Sequence, residues 1–282
     1  MHLFPETRKT INRDILLASF PASGMIVTEH RAVGDGPGAA GPVSVFRAFG
    51  VSGIRIQMAI ITFAQVKGGS GKTTAAMCTV AELVARGASV AALDLDPNRP
   101  LRAFFSKVPE LTEVSVAVPD GEKRVSTLVR ELASKHDHVV IDLMGAATND
   151  TQVAMAVADL VLVPSQMSET DLRCGVETWR QAEEAREVSG RNIARGVLLT
   201  RTSAGAAKPR VEAFLREQYR RAGAHVLTTA FGDRAAWKEM TYTAYIPHLH
   251  DRSSTAAANF VAVFDEMMQL LAGTPAGMAT AA

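Results

Sequence analysis

The sequence predicts an α/β protein built on a mostly parallel, twisted sheet with helices on both faces. From residue 58 onward, apolar runs of four to eight residues alternate with longer stretches of helical periodicity. The first apolar run leads into a glycine-rich turn at 67–74, and acidic residues close two later runs. This alternation of strand, turn and helix is typical of βαβ units, in which successive strands are parallel.

Composition and charge narrow the possible partners. The chain has 282 residues, of which 47% are hydrophobic, enough to bury the core of one large domain. The formal net charge is +1, so any contact with nucleic acid must come from a local patch. Cys78 and Cys174 are too few for a disulfide framework and lack metal-ligand spacing, which favours a reducing cytoplasm.

The first 57 residues differ from the rest of the chain. A cluster of glycine and proline occupies 34–42, and the flanking stretches have no sustained period. We therefore expect 1–57 to be a disordered or mis-called extension, since Met58 directly precedes the first core strand. The expected folded domain is 58–272, followed by a flexible tail at 273–282.

The predicted elements follow from periodicity and from turn residues. The apolar run 59–66 predicts the first strand, and a helix follows from about Gly71 to Arg86, where Gly87 ends it. The other predicted strands are 89–96, 114–118, 138–142, 159–164, 195–200 and 224–230. The other predicted helices are 122–136, 169–188, 209–222, 235–240 and 255–271.

The turn after the first strand has the composition of a phosphate-binding loop. Glycine has no Cβ, so consecutive backbone N–H groups can converge on one anion, and the following helix directs its positive end at the same point. The general pattern G-x-x-x-x-G-K-[ST] assigns Lys72 to the β- and γ-phosphates and Thr73 to Mg²⁺. The predicted binding residues are Lys67, Gly68, Gly69, Ser70, Gly71, Lys72, Thr73 and Thr74.

One position departs from the general pattern. Val66 stands where the first glycine should be, and Lys67 follows it, so that the loop reads K-G-G-x-G-K-T-T. This deviant Walker A sequence resembles that of the ParA/MinD family of dimeric ATPases. The resemblance implies ATP and Mg²⁺ as cofactors and a homodimer that forms on ATP. It also implies that Lys67 crosses to the ATP of the facing subunit, where it takes the part of an arginine finger.

Three carboxylates follow apolar strands, at the sheet edge where ligands bind in parallel sheets: Asp94, Asp96 and Asp142. Each could instead cap the next helix. By resemblance, Asp142 is the Walker B aspartate that holds Mg²⁺ through water, Asp94 lies near the metal, and Asp96 orients the attacking water. The predicted catalytic residues are Lys67, Lys72 and Asp96, and the predicted metal ligands are Thr73, Asp94 and Asp142.

Two further positions differ from the family pattern. Leu143-Met144-Gly145 replaces the pair of prolines that commonly follows the Walker B aspartate. Thr200-Arg201 stands where many relatives have Asn-Arg, a pair whose asparagine helps to read adenine. We expect Thr200 and Arg201 to contact the nucleotide, because a threonine hydroxyl can still hydrogen-bond the edge of the base.

Two features distinguish between the branches of the family: the C-terminal helix at 259–271 and Lys67. Membrane-associated MinD relatives end in a basic amphipathic helix, whereas 259–271 contains two acids and no lysine or arginine, so we expect no membrane role. Small-molecule ligases such as dethiobiotin synthetase share the fold but commonly lack the lysine found here at Lys67. Such a ligase remains an alternative, as does a VirC1-type accessory ATPase of conjugation or T-DNA transfer.

The local charge of the C-terminal part favours the branch of partition ATPases, which segregate DNA or a protein cargo. Eleven Lys/Arg and five Asp/Glu lie between Arg191 and Arg252, which indicates either a DNA-backbone footprint or an ordinary solvated helical face. The predicted DNA contacts are Lys208, Arg210, Arg216, Arg220 and Arg221. By resemblance to short ParA-type ATPases, the ATP dimer binds nucleoid DNA non-specifically in the cytoplasm. A ParB-like or other cargo adaptor then stimulates hydrolysis and segregates a plasmid, a chromosome region or a protein cargo.

Overall fold

The computed structural model describes residues 58–119, 121, 123–203 and 210–273. The predictions for 1–57, for Lys208 and for 274–282 lie outside the described residues. Within the described residues, no helix combines the length and the apolar character needed to cross a membrane.

A seven-stranded sheet forms the centre of the fold, and every pair of neighbouring strands is parallel. The strands are β1 Ala59–Phe63, β2 Val90–Asp94, β3 Ser115–Ala117, β4 His138–Asp142, β5 Leu160–Ser165, β6 Ala194–Thr202 and β7 Phe231–Gly232. Their spatial order is β3-β2-β4-β1-β5-β6-β7. The predicted fold class is therefore confirmed.

Helices cover both faces of this sheet. They are α1 Lys72–Ala85, α2 Pro100–Phe105, α3 Val125–Ala133, α4 Asn149–Val157, α5 Glu169–Ser189, α6 Arg210–Arg221, α7 Ala235–Thr243, α8 Pro247–His250 and α9 Thr255–Leu271. Successive side chains of a strand point to opposite faces, so Ile61 joins the core under α1 and α9 while Ile60 joins the core under α3 and α4. Burial on both faces explains why the strands read as continuous apolar runs.

Several elements differ from the sequence-based expectation. Helices α2, α4 and α8 were not predicted, although the Thr148 side chain caps α4 by accepting a hydrogen bond from the Thr151 N–H. The predicted strand 224–230 is reduced to a single bridge between Val226 and Val197. Beyond that bridge, the N–H groups of residues 228 and 229 donate to the Glu266 carboxylate of α9 and so leave the ladder.

The sheet register brings the acidic strand ends together. Asp94 at the end of β2 lies opposite Asp142 at the end of β4, and Asp142 also lies opposite Phe63 at the end of β1. The glycine-rich loop follows β1 directly. The fold therefore places this loop beside the two aspartates, at the carboxyl edge of the sheet where α/β proteins bind ligands.

A cluster of ion pairs around the buried Glu82 connects α1 to the C-terminal region. Glu82 of α1 is fully buried and accepts from Arg86 at 2.7 Å and from Arg252 at 3.0 Å. Arg86 also donates to Asp265 of α9 at 2.7 Å, and its guanidinium lies 4.5 Å from the ring centroid of Phe264. The helix that follows the glycine-rich loop is thereby fixed at its far end.

Candidate nucleotide-binding site

The loop between β1 and α1 has the backbone that anion binding requires. Gly69 and Gly71 have φ of 78° and 100°, in the left-handed region that side chains with a Cβ disfavour. Gly71 immediately precedes α1, and no side chain caps that end of the helix. The first-turn N–H groups of a 14-residue helix therefore point at the loop, together with the positive end of its dipole.

Lys72 is the first residue of α1, and its side chain folds back into the loop. Its side chain is largely buried, and Nζ donates to the Lys67 carbonyl oxygen at 3.0 Å. Burial lowers the pKa of Lys72, while the negative charges of Asp142 and Asp96 raise it. The ammonium group is thus held where the general pattern expects the β- and γ-phosphates of a nucleotide.

Thr73 and Asp142 form a pair that suits a divalent cation. The Thr73 hydroxyl donates to Oδ2 of Asp142 at 2.7 Å, and Oδ1 of the same carboxylate is buried without a hydrogen-bond partner among the described residues. The pKa of Asp142 is raised to about 7. Burial is the main cause and the charge of Asp94 adds to it, while the hydrogen bond from Thr73 acts in the opposite direction. An Mg²⁺ ion fits this position, because it would satisfy the orphaned oxygen and favour the charged carboxylate.

Asp94 takes the helix-capping role that the sequence left open as an alternative. Its Oδ2 accepts from the N–H groups of Leu101 at 2.9 Å and Arg102 at 3.2 Å, both in the first turn of α2. Its Oδ1 accepts from the Asp96 N–H at 3.3 Å. Both oxygens are therefore used by the backbone, and this geometry does not favour Asp94 as a metal ligand.

Asp96 is held at the rim of the site by a turn of its own. Its Oδ1 accepts from the backbone and side-chain N–H groups of Asn98 at 2.9 and 3.0 Å. The turn continues into Arg99, whose φ is 51°. Asp96 is half-buried near Lys72, and its expected role in orienting water stays a prediction.

Lys67 makes an ion pair within its own chain. Its Nζ lies 2.6 Å from Oδ2 of Asp171, a carboxylate that is almost fully buried in the first turn of α5, whereas the lysine side chain is 34% exposed. The Ser168 hydroxyl donates to the same carboxylate oxygen. Sequence reasoning gave no role to Asp171, which lies 104 residues from Lys67 along the chain.

The segment from β5 into α5 contacts the loop at two further points. The Gln166 amide donates to the Gly69 carbonyl, and the Val66 N–H donates to the Thr178 hydroxyl at 3.2 Å. With the Lys67–Asp171 pair, three positions of the loop are thus held by one segment. The sequence offered no local signal for these contacts, because each joins residues about 100 positions apart.

Gly145 has a packing reason to be glycine. A Cβ at this position would lie 2.7 Å from the Gly68 nitrogen and 3.0 Å from the Gly68 Cα, closer than real side chains approach backbone. Gly145, in the segment where relatives carry prolines, therefore lies directly against Lys67 and Gly68 of the phosphate loop.

Thr200 supports the phosphate loop. Its side chain is almost fully buried, and its hydroxyl donates to the Ser70 carbonyl at 2.8 Å. Its single proton is therefore used by the loop, so a hydrogen bond to adenine would have to be accepted by the hydroxyl oxygen, and the predicted contact with the base stays a prediction. Arg201, the next residue, is exposed and has φ of 52°, so it stays available for the predicted nucleotide contact.

Among the predicted DNA contacts, Arg216 has a structural role. Its guanidinium donates to the carbonyl oxygens of residues 227 and 228 at 2.6 and 3.1 Å and to Glu212 at 3.0 Å. These contacts within the chain do not favour Arg216 as a DNA contact. Arg210 is exposed at the start of α6, and Arg220 and Arg221 are 74% and 67% exposed beside Glu217. These three arginines remain predictions.

Comparison with known proteins agrees with this geometry. The family model for the VirC1 protein matches residues 58–250. Protein ParA of Rhizobium radiobacter is 33% identical over 150 residues, which are 52% of this chain and 66% of that relative, just under two thirds of its length. The maintenance of carboxysome distribution protein A of Halothiobacillus neapolitanus is 30% identical over 183 residues, 63% of this chain and 81% of that protein.

A solved structure supports the same fold. The septum site-determining protein MinD from Pyrococcus horikoshii, solved with Mg-ADP, superposes with a TM-score of 0.59 at 17% identity. The match covers 78% of this chain and 99% of the MinD chain. The resemblance to the ParA/MinD type of P-loop ATPase is therefore confirmed, and with a family match over most of its length the chain belongs to the VirC1 family.

Proposed function

We propose that this chain is an ATPase that binds ATP with Mg²⁺ and uses the bound nucleotide to position a cargo. One observation carries the proposal: the Lys72 ammonium lies inside a phosphate loop beside the Thr73–Asp142 pair, whose orphaned carboxylate oxygen suits a cation. The Mg-ADP in the related MinD structure supports the choice of nucleotide and metal.

Each residue of the site would have a separate part in hydrolysis. The loop N–H groups and Lys72 would bind the phosphates, Thr73 and Asp142 would hold Mg²⁺, and Asp96 would orient the attacking water. When bound, Mg²⁺ would neutralise negative charge on the phosphates. Catalysis of this kind depends on positioning and electrostatics, so we expect weak intrinsic turnover that an adaptor protein stimulates.

ATP would also join two copies of the chain into a homodimer, with Lys67 released from Asp171 to reach the nucleotide of the facing copy. The ATP dimer would then bind DNA non-specifically through α6 and associate with the nucleoid in the cytoplasm. The similarity to a protein named for the maintenance of carboxysome distribution supports a role in distributing a cargo, and the similarity to a protein ParA is consistent with it. A ParB-like or other adaptor would connect the dimer to its cargo.

A DNA-retention assay with ATP, with ADP and without nucleotide tests this proposal. Two weak basic patches become effective when a dimer presents both, so retention should require ATP. The variant Arg220→Glu/Arg221→Glu should weaken retention and leave ATP binding intact. Arg130→Glu/Lys135→Glu is the matched control, because it makes the same charge change at exposed residues near the end of α3. Absence of retention in every nucleotide state would refute the DNA-binding part.

A second candidate is an accessory ATPase of conjugation or T-DNA transfer, and the VirC1 family match over 58–250 favours it. Both candidates share the ATP site and differ in cargo. Deleting the gene and measuring plasmid loss and DNA-transfer frequency in the same strain separates them. Loss of transfer with normal plasmid inheritance would favour the second candidate.

A further inference from the structure

The side chain of Tyr219 in α6 passes α5 at Gly175, where any residue with a Cβ would block it. The tyrosine side chain is fully buried, and a Cβ on Gly175 would lie 2.0 Å from its hydroxyl oxygen. Glycine weakens the interior of a helix because it loses more backbone freedom than alanine on folding. Its presence in the middle of α5 is explained by the passage of the Tyr219 hydroxyl.

Beyond Gly175, the hydroxyl reaches the turn between β5 and α5. It donates to Oγ of Ser165 at 2.6 Å and lies 3.4 Å from the Asp171 carbonyl oxygen. The Ser165 hydroxyl in turn donates to the Gln166 carbonyl at 3.3 Å. Burial raises the pKa of Tyr219 to about 12, so this group keeps its proton and remains a donor at neutral pH.

The same turn holds the phosphate loop. Gln166 donates to the Gly69 carbonyl, and the Asp171 carboxylate accepts the Lys67 ammonium group. Tyr219 is therefore connected directly to Asp171 and, through Ser165, to Gln166, and both of these residues contact the loop. The residue that follows it in α6, Arg220, is exposed.

We infer that Tyr219 is a positioning residue: its hydroxyl fixes the 165–171 turn and thereby sets how firmly Asp171 holds Lys67. Helix α6 and the first lysine of the loop are then coupled, so a ligand that shifts α6 changes the freedom of Lys67. By linkage, engagement of Lys67 changes the affinity of α6 for its ligand by the same factor. The identity of the two ligands, DNA and ATP, rests on the proposed function, whereas the hydrogen-bonded connection does not.

Acetylation of Lys67 in the full chain, without nucleotide or DNA, tests the connection directly. The protein is treated with a limiting amount of an N-hydroxysuccinimide acetyl ester, and mass spectrometry gives the Lys67 rate relative to exposed Lys135. Tyr219→Phe keeps the ring and removes the donor, so the relative rate should rise by about threefold or more, as expected when one coupled interaction is removed. Ser165→Ala should give a similar rise, and the double variant should give little more. Tyr242→Phe, at a tyrosine that is 90% exposed on α7, is the matched control and should change nothing.

An unchanged Lys67 rate in Tyr219→Phe and Ser165→Ala would overturn the inference, provided Asp171→Asn, the positive reference, raises it. If Tyr219→Phe does not fold, Ser165→Ala decides alone. A second arm measures the factor by which ATP tightens DNA binding, which Tyr219→Phe should reduce by about threefold. If the wild-type protein binds no DNA, the proposed function fails while the acetylation result still decides the inference.

Discussion

Lys67 and Lys72 stand at the two ends of one loop but have different surroundings. Lys72 is largely buried and bonded to the loop itself, while Lys67 is partly exposed and bonded to Asp171 of α5. Equal charge on the two side chains therefore does not imply equal roles. The buried lysine can act on a nucleotide in its own chain, and the exposed lysine can exchange its partner.

Substitution of each lysine should separate these roles. Lys72→Ala should weaken ATP binding by about a hundredfold or more, because a charge-assisted hydrogen bond to phosphate is removed. Lys67→Ala should leave ATP bound, but it should abolish the dimer and lower stimulated turnover by about a hundredfold. Calorimetry measures binding, and light scattering measures the dimer. Equal loss of ATP affinity in both variants would contradict the assignment.

Asp96 should show a third pattern. If Asp96 orients water, Asp96→Ala should keep ATP bound and trap the dimer while hydrolysis falls, because the phosphate contacts remain. A radiolabelled ATP assay and light scattering on the same sample test this expectation. Normal hydrolysis in the variant would exclude the role.

Asp142 makes stability depend on pH in a direction opposite to most aspartates. Its pKa is raised from 3.8 to about 7 by burial, so the folded state binds a proton more tightly than the unfolded state. Asp142 therefore adds to the free energy of unfolding at low pH, and this contribution is lost as the pH rises from about 4 to about 7. Buried His138 and His248, whose pKa is lowered to about 4, act in the opposite direction.

Comparison with Asp142→Asn isolates this effect. Relative to wild type, Asp142→Asn without metal should gain stability as the pH rises toward 7, and the difference in free energy of unfolding should reach about 4 kcal/mol. Mg²⁺ needs the charged carboxylate, so the stabilisation of wild type by Mg-ADP should decline below pH 7. Urea unfolding at a series of pH values measures both effects. A difference between the two proteins that does not vary with pH would show that Asp142 titrates normally.

At the scale of elements, the contact between the 143–145 segment and the phosphate loop is closely packed. Gly145→Ala should displace Gly68 and weaken nucleotide binding by about tenfold, an effect of roughly 1.4 kcal/mol. Met144→Ala, which removes atoms at the neighbouring position, serves as the control and should have a smaller effect. Unchanged affinity in Gly145→Ala would show that the loop can move away at little cost.

The Glu82 cluster should stabilise the junction of α1 with the C-terminal region. Glu82→Gln removes the buried charge that pairs with Arg86 and Arg252. We expect the free energy of unfolding to fall by about 2 kcal/mol, less than for a fully buried pair, because both arginines are partly exposed. Glu131→Gln removes an exposed ion pair with Lys123 and should cost less than about 0.5 kcal/mol. Urea unfolding of both variants gives the comparison, and equal decreases would refute the importance of burial.

Sequence reasoning succeeded where a signal is local. The glycine-rich loop, each apolar strand and the acidic residue at its end are each recognised from a few neighbouring residues, and the rule that parallel strands share a carboxyl edge brings them together. The roles of Asp171 and Thr178 could not, because they contact a loop about 100 residues away. The backbone contacts of Thr200 and Asp94 could not be predicted either, because composition does not show which polar atoms backbone groups already use.

At the scale of the whole molecule, the net charge of +1 leaves any DNA affinity to a local surface. Binding should fall steeply with salt and depend little on DNA sequence, because phosphate contacts carry no sequence information. Arg220→Glu/Arg221→Glu should reduce the slope of log affinity against log salt by about 0.9 for each phosphate that is no longer neutralised. Fluorescence anisotropy at several salt concentrations measures this slope. An unchanged slope would place the DNA-binding surface elsewhere.

The two outermost strands of the sheet are its shortest, with three residues in β3 and two in β7. A long, flat outer strand offers unpaired N–H and C=O groups that can recruit a strand from another molecule, which is a common origin of fibrils. Among the described residues, these two strands themselves offer few such groups. We therefore expect copies of this chain to resist amyloid-like polymerisation, even when many of them are concentrated on one surface.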